Sequence, residues 1–187
     1  MPVAPDSLAV FLDGDYLRVS LPHVDFLKGK PLDRLKDGAT VVFEGQVSLS
    51  ASPNSLIPIA RAVASFALSY DIWEERFSVT KMGQSPESRR SWSHLSAQAA
   101  ENLCLENLLI DRSQVPADRD FYVQLDLRAE DPKDSLGIIG DPGINVTRFL
   151  IERFGRPPRS PQERLLLTNG PFRLNDLKKT EIRGVRG

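Results

Sequence analysis

Hydrophobic and polar residues alternate with a period of two along much of this chain, and the longest such run is AVASFALSYDIWEERFSVTK, from Ala62 to Lys81. Phe66, Leu68, Tyr70 and Ile72 share one parity, whereas Trp73, Phe77 and Val79 share the other. Side chains of a strand point to opposite faces in turn, so the run predicts one extended ribbon whose buried face changes side at Ile72 and Trp73. A bulge there, or a change of packing partner, produces such a switch.

Other segments carry the same period. Leu8, Val10 and Leu12, then Leu17, Val19 and Leu21, flank Asp13-Gly14-Asp15 and predict a hairpin from Ser7 to Leu21. Ala39 to Ser50 places Val41, Phe43, Val47 and Leu49 on one side and Thr40, Glu44, Gln46 and Ser48 on the other. Such a strand has one buried and one wet face, and it is expected to pair antiparallel with the Ala62 run. Phe121, Val123, Leu125 and Leu127 predict a third strong strand from Phe121 to Glu130. Leu165 to Leu167 is expected to pair weakly or to pack as a lid.

The helical period is rarer. KPLDRLKDG predicts one or two turns, with Pro31 early, Gly38 as the stop, and Leu32 and Leu35 facing the sheet. A longer helix is expected from a capping Ser93 to Ile110, with its apolar stripe drawn from Leu95, Ala99, Leu103, Leu105, Leu108 and Leu109. A third, short helix is expected from about Ile144 or Asn145 to Phe154. Gly83 to Ser91 has nothing to bury and predicts an exposed loop. Together these elements predict one antiparallel, β-dominated α+β domain with two principal helices, as a two-layer, sandwich-like structure or as an open sheet covered by helices. Residues 1–7 read as a flexible lead-in, such as follows a removed leader, and 175–187 as a basic tail.

The order of these parts carries a resemblance. Leu32, Leu35, Gly38, Val41 and Phe43 form an LxxLxxGxxVxF turn, followed by a strand ending SYDIWEERFSVTKMG, a helix, and a polar loop leading into DFYVQLDLRAE. Over about residues 16–130 this is similar to an uncharacterised family of exported bacterial proteins, a domain of unknown function, with Tyr70-Asp71 and Phe77 at the places of its usual aromatic and acidic residues. The resemblance implies export and a β-rich fold, and it implies no reaction. From Asp131 onward the chain departs from that pattern.

Composition adds limits. A chain of 187 residues can bury a core without disulfides, and the lone Cys104 leaves the compartment open. The expected location is periplasmic or envelope-associated, with the cytoplasm as the alternative. From Arg148 to the end the charge is +6 and the remainder carries −7, for a net charge of −1. Arg148, Arg153, Arg156 and Arg159, with Phe149 and Phe154 between them, are candidates for anion or membrane-surface binding, or form an ordinary amphipathic helix. No nucleic-acid motif is present and the body is acidic, so nucleic acid is not expected as a partner.

Candidate chemistry is sparse. Asp71, Glu74 and Glu75 set three carboxylates within five residues. Paired acids perform general acid and base work only where their surroundings split their pKa values. With Tyr70, Trp73 and Phe77 nearby, Asp71 and Glu75 instead suggest a pocket for a small apolar or anionic ligand. His23 and His94 lack metal-ligand spacing, Gly83-Gln84-Ser85 lacks the second glycine of a nucleophile elbow, and Cys104 falls inside a helical run. Gly137, Gly140 and Gly143 fit no phosphate-loop spacing. No catalytic residue, metal or cofactor is expected. The expected role is a non-catalytic domain that binds a protein or an envelope surface, with a ligand carrier as the alternative.

Overall fold

The structure, a computed structural model, describes residues 8–83, 85–130 and 164–177. The expected helix at 144–154, Arg148, Arg153, Arg156, Arg159, the glycines at 137, 140 and 143, and the tail beyond 177 lie outside the described residues. What is described is mainly β with two helices, in two antiparallel sheets that are open rather than closed.

Strands β1 (Ala9–Asp13) and β2 (Tyr16–Ser20) form the expected hairpin, with Val10 paired to Val19 and Leu12 to Leu17. Gly14 adopts φ +58°, the left-handed conformation that this two-residue turn needs. Helix α1 (Gly29–Lys36) follows, with Pro31 in its first turn and Leu35 buried. It stops at Gly38, whose φ is +86° and whose amide donates to the Leu35 carbonyl at 3.0 Å.

The larger sheet is built on β3 (Val41–Ser50), which pairs with β4 (Ala60–Asp71) on one side and β8 (Phe121–Ala129) on the other. Val41, Phe43, Val47 and Leu49 are buried, and across the ladder they face Leu68, Phe66, Leu125 and Val123, so the alternating residues converge on one inner face. Beyond β4 lie β5 (Arg76–Lys81) and β6 (Arg90–Leu95); beyond β8 lies β9 (Arg164–Phe172). Thus Leu165–Leu167 belongs to a nine-residue edge strand and not to a lid. The second helix, α2 (Ala97–Glu106), packs against β2, β5 and β6, and leads into β7 (Ile110–Asp111), which pairs with β2. One apolar core joins the small sheet, both helices and the inner face of the large sheet.

Residues 62–81 are not one ribbon. They form a hairpin in which Asp71 pairs with Arg76 and Phe66 with Lys81, joined by the loop at 72–75. With four residues in the loop, even positions on β4 and odd positions on β5 share the inner face, which reproduces the parity switch without a bulge at that point. The Asp71 carboxylate fixes the turn by accepting the amides of Trp73 at 2.8 Å and Glu74 at 3.0 Å, and Glu75 adopts φ +54°.

The second helix is also shorter than its pattern predicts. Arg90–Leu95 pairs with β5 as a strand, His94 turns at φ +58°, and Ser96 rather than Ser93 caps the helix, its hydroxyl accepting the Ala99 amide at 3.2 Å. The buried stripe is Ala100, Glu101, Cys104 and Leu105; of the expected set Leu105 belongs to it, Leu108 is buried beyond the helix end, and Leu95 and Leu103 pack half-buried against the core. Asn107 ends the helix and its side chain donates to the Leu103 carbonyl at 2.8 Å, which frees Leu108 and Ile110 to enter the core as extended chain. The segment at 83–91, expected to be loop throughout, contains a single 3-10 turn at Pro86–Ser88 before β6 begins.

Candidate functional site

The hairpin that replaces the ribbon is unequal, and this creates the most distinctive surface of the described residues. β4 is paired to β3 from Ala60 to Leu68, whereas β5 covers only Phe66 to Asp71 on its other side. The last hydrogen bond on that side runs from the Met82 amide to the Ser65 carbonyl, 2.8 Å. Alternate residues of a strand direct their amides and carbonyls to alternate neighbours. Arg61 and Val63 share parity with Ser65, so their backbone groups point along an edge that no described strand covers.

Beside this edge lies an open cavity of ≈350 Å³. Its near wall is Arg61, Ala62, Val63 and Lys81; its far wall is the connector from Asn107 to Leu109, with Asp111, Gln114 and Tyr16. Two local choices of residue make the space. The inner face of β4 carries Ala60, Ala62 and Ala64 here, where Phe66 and Leu68 fill the core further along. Across the ladder from Ala64, Gly45 lets the Leu108 side chain settle on the sheet: a Cβ there would lie 3.0 Å from Leu108 Cδ1 and from Leu127 Cδ2. A second open cavity, ≈370 Å³, shares Gln114 and includes Ile59 and the chain from Ser113 to Arg119.

Electrostatically the site favours anions. Lys81 donates from Nζ to the Asn107 carbonyl at 3.2 Å, and burial, followed by the charge of Arg90, holds its pKa below the usual lysine range. Arg61 is exposed and makes no ion pair or side-chain hydrogen bond with the described residues. Asp111, the one carboxylate among the described residues that line the cavity, accepts from the Ser113 hydroxyl at 2.6 Å and the Ser113 amide at 2.8 Å, and these bonds hold its carboxyl below the ordinary range. The arrangement can bind, and the described residues that line it include no nucleophile with an adjacent base. Among the described residues, no group of three or more His, Cys, Asp and Glu side chains is placed to hold a metal.

The residues expected to form a ligand pocket are dispersed by the hairpin. Tyr70 and Phe77 do meet on the inner face, with ring centroids 4.8 Å apart and planes at 51°. Trp73 stands at the loop tip, 96% exposed, and cannot close a pocket over them. Asp71 is consumed in the turn and Glu75 sits exposed in its left-handed position. Glu74, not Glu75, finds a partner, with Oε2 2.7 Å from His94 Nδ1 on an exposed surface. His94 lies near the end of β6, and His23 is exposed on the connector after β2. Cys104 is fully buried, and burial pushes its thiol up to about 12.

Sequence reading missed Arg61, Val63 and Lys81. The alternation of alanines at 60, 62 and 64 was the available signal, because small residues on the inner parity of a strand leave room beside it. No protein-family model, curated protein or solved structure matches this chain.

Proposed function

We propose that the protein is a non-catalytic binding domain that engages a partner protein at the end of the large sheet where β4 begins. The observation that carries the reading is the loop between β3 and β4, in which Leu56 and Ile57 are 97% and 81% exposed. Two adjacent large apolar side chains held in water are costly unless something covers them, each worth roughly 1.5–3 kcal/mol when fully buried. The loop presenting them is organised: the Ser50 hydroxyl donates to the Ser52 carbonyl at 2.8 Å, the Ser55 amide to the same carbonyl at 3.2 Å, and the Ser55 hydroxyl to the Ile57 carbonyl at 3.0 Å. Exposed Ile59 and Val63 extend the apolar surface from this loop to the two cavities.

The setting proposed with it is the bacterial envelope, after export, as the family resemblance implies. No helix among the described residues is long and apolar enough to cross a membrane. The test is site-specific photo-crosslinking in the native host, with a benzoylphenylalanine at position 57 and, as control, at the exposed Ser69 on β4. A discrete protein adduct at 57 that is absent at 69 and lost with Leu56→Asp is expected. Adducts that are the same at both positions, or none at 57, contradict the reading.

A further inference from the structure

We propose that the uncovered half of β4 takes up an extended, acidic segment of a partner protein as an added strand, in line with β5. The inference rests on the binding-domain reading above and supplies its mode of recognition. Strand addition needs a free row of backbone donors and acceptors, and pockets for alternate side chains. Arg61 and Val63 provide the row. The cavity beside Ala62 provides room for a guest side chain directed inward, and its ≈350 Å³ lies within the range of roughly 300–1,000 Å³ typical of ligand sites.

The vacancy is built into the chain path. β5 ends because the chain turns at Gly83, packed so closely on Ser88 that any Cβ there would collide with it. The chain is thereby diverted into the 3-10 turn at Pro86–Ser88 and returns as β6 on the far side of β5, leaving the lane beside Arg61 to Ala64 open among the described residues. Sheet edges of this kind are usually shortened, bent or covered, because they template pairing with another chain.

Charge selects the occupant. Lys81 lies on the inner face of the lane, in register with Phe66, and Arg61 on the outer face, so each side of a guest strand would meet one cation. Asp111 accepts both Ser113 bonds through Oδ1 and keeps its charge, so the described lining sets two cations, Arg61 and Lys81, against one carboxylate. A second copy of this chain, paired edge to edge, would bring a second Arg61 and Lys81 to the same short ladder. An acidic segment meets complementary charge instead.

The experiment uses the full chain, labelled with nitrogen-15, and three acetylated, amidated peptides: Thr-Val-Glu-Val-Glu-Val-Thr, its counterpart with Lys in place of Glu, and a copy of the first N-methylated at alternate residues. Amide exchange and chemical shifts are read by NMR. The Glu peptide is expected to slow exchange at Arg61 and Val63 by about tenfold or more, while the Lys and N-methylated peptides do not. Arg61→Glu with Lys81→Glu should reverse the preference towards the Lys peptide. Val63→Pro removes the outward amide; it should keep the fold, read as an unchanged dispersion of core resonances, and abolish the protection at Arg61, the amide that still reports. Unchanged exchange at Arg61 and Val63 with saturating Glu peptide overturns the proposal, as does equal protection by the N-methylated peptide. Self-pairing, seen as concentration-dependent protection without peptide, replaces the acidic partner with a second copy and also overturns it. A position-57 adduct without peptide protection leaves the binding-domain reading standing and removes strand addition alone; loss of both removes both.

Discussion

Replacing Glu101 with alanine should be among the most damaging single changes in the molecule, although the residue has no part in the proposed site. Its side chain lies in α2 and is 4% exposed, and Oε1 accepts the backbone amides of Phe26 at 2.9 Å and Leu27 at 2.8 Å. Those two residues are themselves buried, and the Phe26 ring packs edge-on against Phe43 with centroids 5.1 Å apart. The carboxylate therefore pins the connector between β2 and α1 to the core. Alanine leaves two buried amides without an acceptor, at about 1–3 kcal/mol each, so the expected loss is about 2–6 kcal/mol. Glutamine keeps a carbonyl oxygen for the same amides and should cost less than about 1.5 kcal/mol. Burial raises the Glu101 pKa, outweighing the two amide bonds that lower it. A group with a raised folded-state pKa stabilises fully below its unfolded value, near 4.3, and loses that contribution as pH rises through the folded value. Urea unfolding of wild type and Glu101→Gln from pH 4 to pH 8 should thus show the wild type losing ground to the variant as pH rises. Equal stabilities for the alanine and glutamine variants, or a difference between wild type and glutamine that ignores pH, would refute the reasoning.

Three further outcomes follow from individual contacts. Glu75→Gly relieves a left-handed residue, a conformation costing about 1–2 kcal/mol, against about 0.5–1 kcal/mol of added chain entropy; thermal unfolding should show a gain of up to about 1.5 kcal/mol, and a loss would contradict the hairpin turn. Asp126, buried on β8, receives bonds from Arg164 at 2.7 and 2.8 Å and from Arg128 at 3.0 and 3.2 Å. Burial alone would raise its pKa, but the bonds from Arg164 and then Arg128 outweigh it and hold the carboxyl low. Its stabilisation is present above the unfolded value and lost as pH falls through the depressed folded one. Asp126→Asn should cost about 1–3 kcal/mol at pH 7 in urea unfolding, with the difference vanishing in acid; persistence of the full difference in acid would contradict the pairing. Cys104, with its thiol pushed up to about 12 by burial, should resist Ellman's reagent at pH 8 until the protein unfolds, and fast labelling of the native chain would contradict its burial.

The strands that pair on both sides were the most legible. Val41 to Leu49 and Phe121 to Leu127 each meet neighbours on two edges and bury one face, so a strict period of two survives in the residues. The mainly β, two-helix, antiparallel character followed from them. The hairpin at 72–75 was not legible because its turn contains no Gly, Asn or Pro; it depends on the Asp71 carboxylate and a left-handed Glu75, and a four-residue loop flips parity just as a bulge does. The expected aromatic group is split for the same reason, since the turn carries Trp73 into solvent while Tyr70 and Phe77 stay together. Ser93 and Ser96 are equally good caps by residue type, and the choice was made by pairing of Arg90–Leu95 with β5, which a helical pattern does not encode. The surface at Arg61 and Val63 arises from unequal strand lengths, a property of pairing rather than of either strand alone.

That the outer edge of β4, uncovered among the described residues, stands open where β5 has ended is tested most directly by amide hydrogen exchange at neighbouring positions in the free protein. Ala64 directs its amide towards β3 and should exchange slowly, as a core ladder amide does, whereas Val63 should exchange at a rate close to that of an exposed loop. Slow exchange at both positions would mean that the edge is already covered.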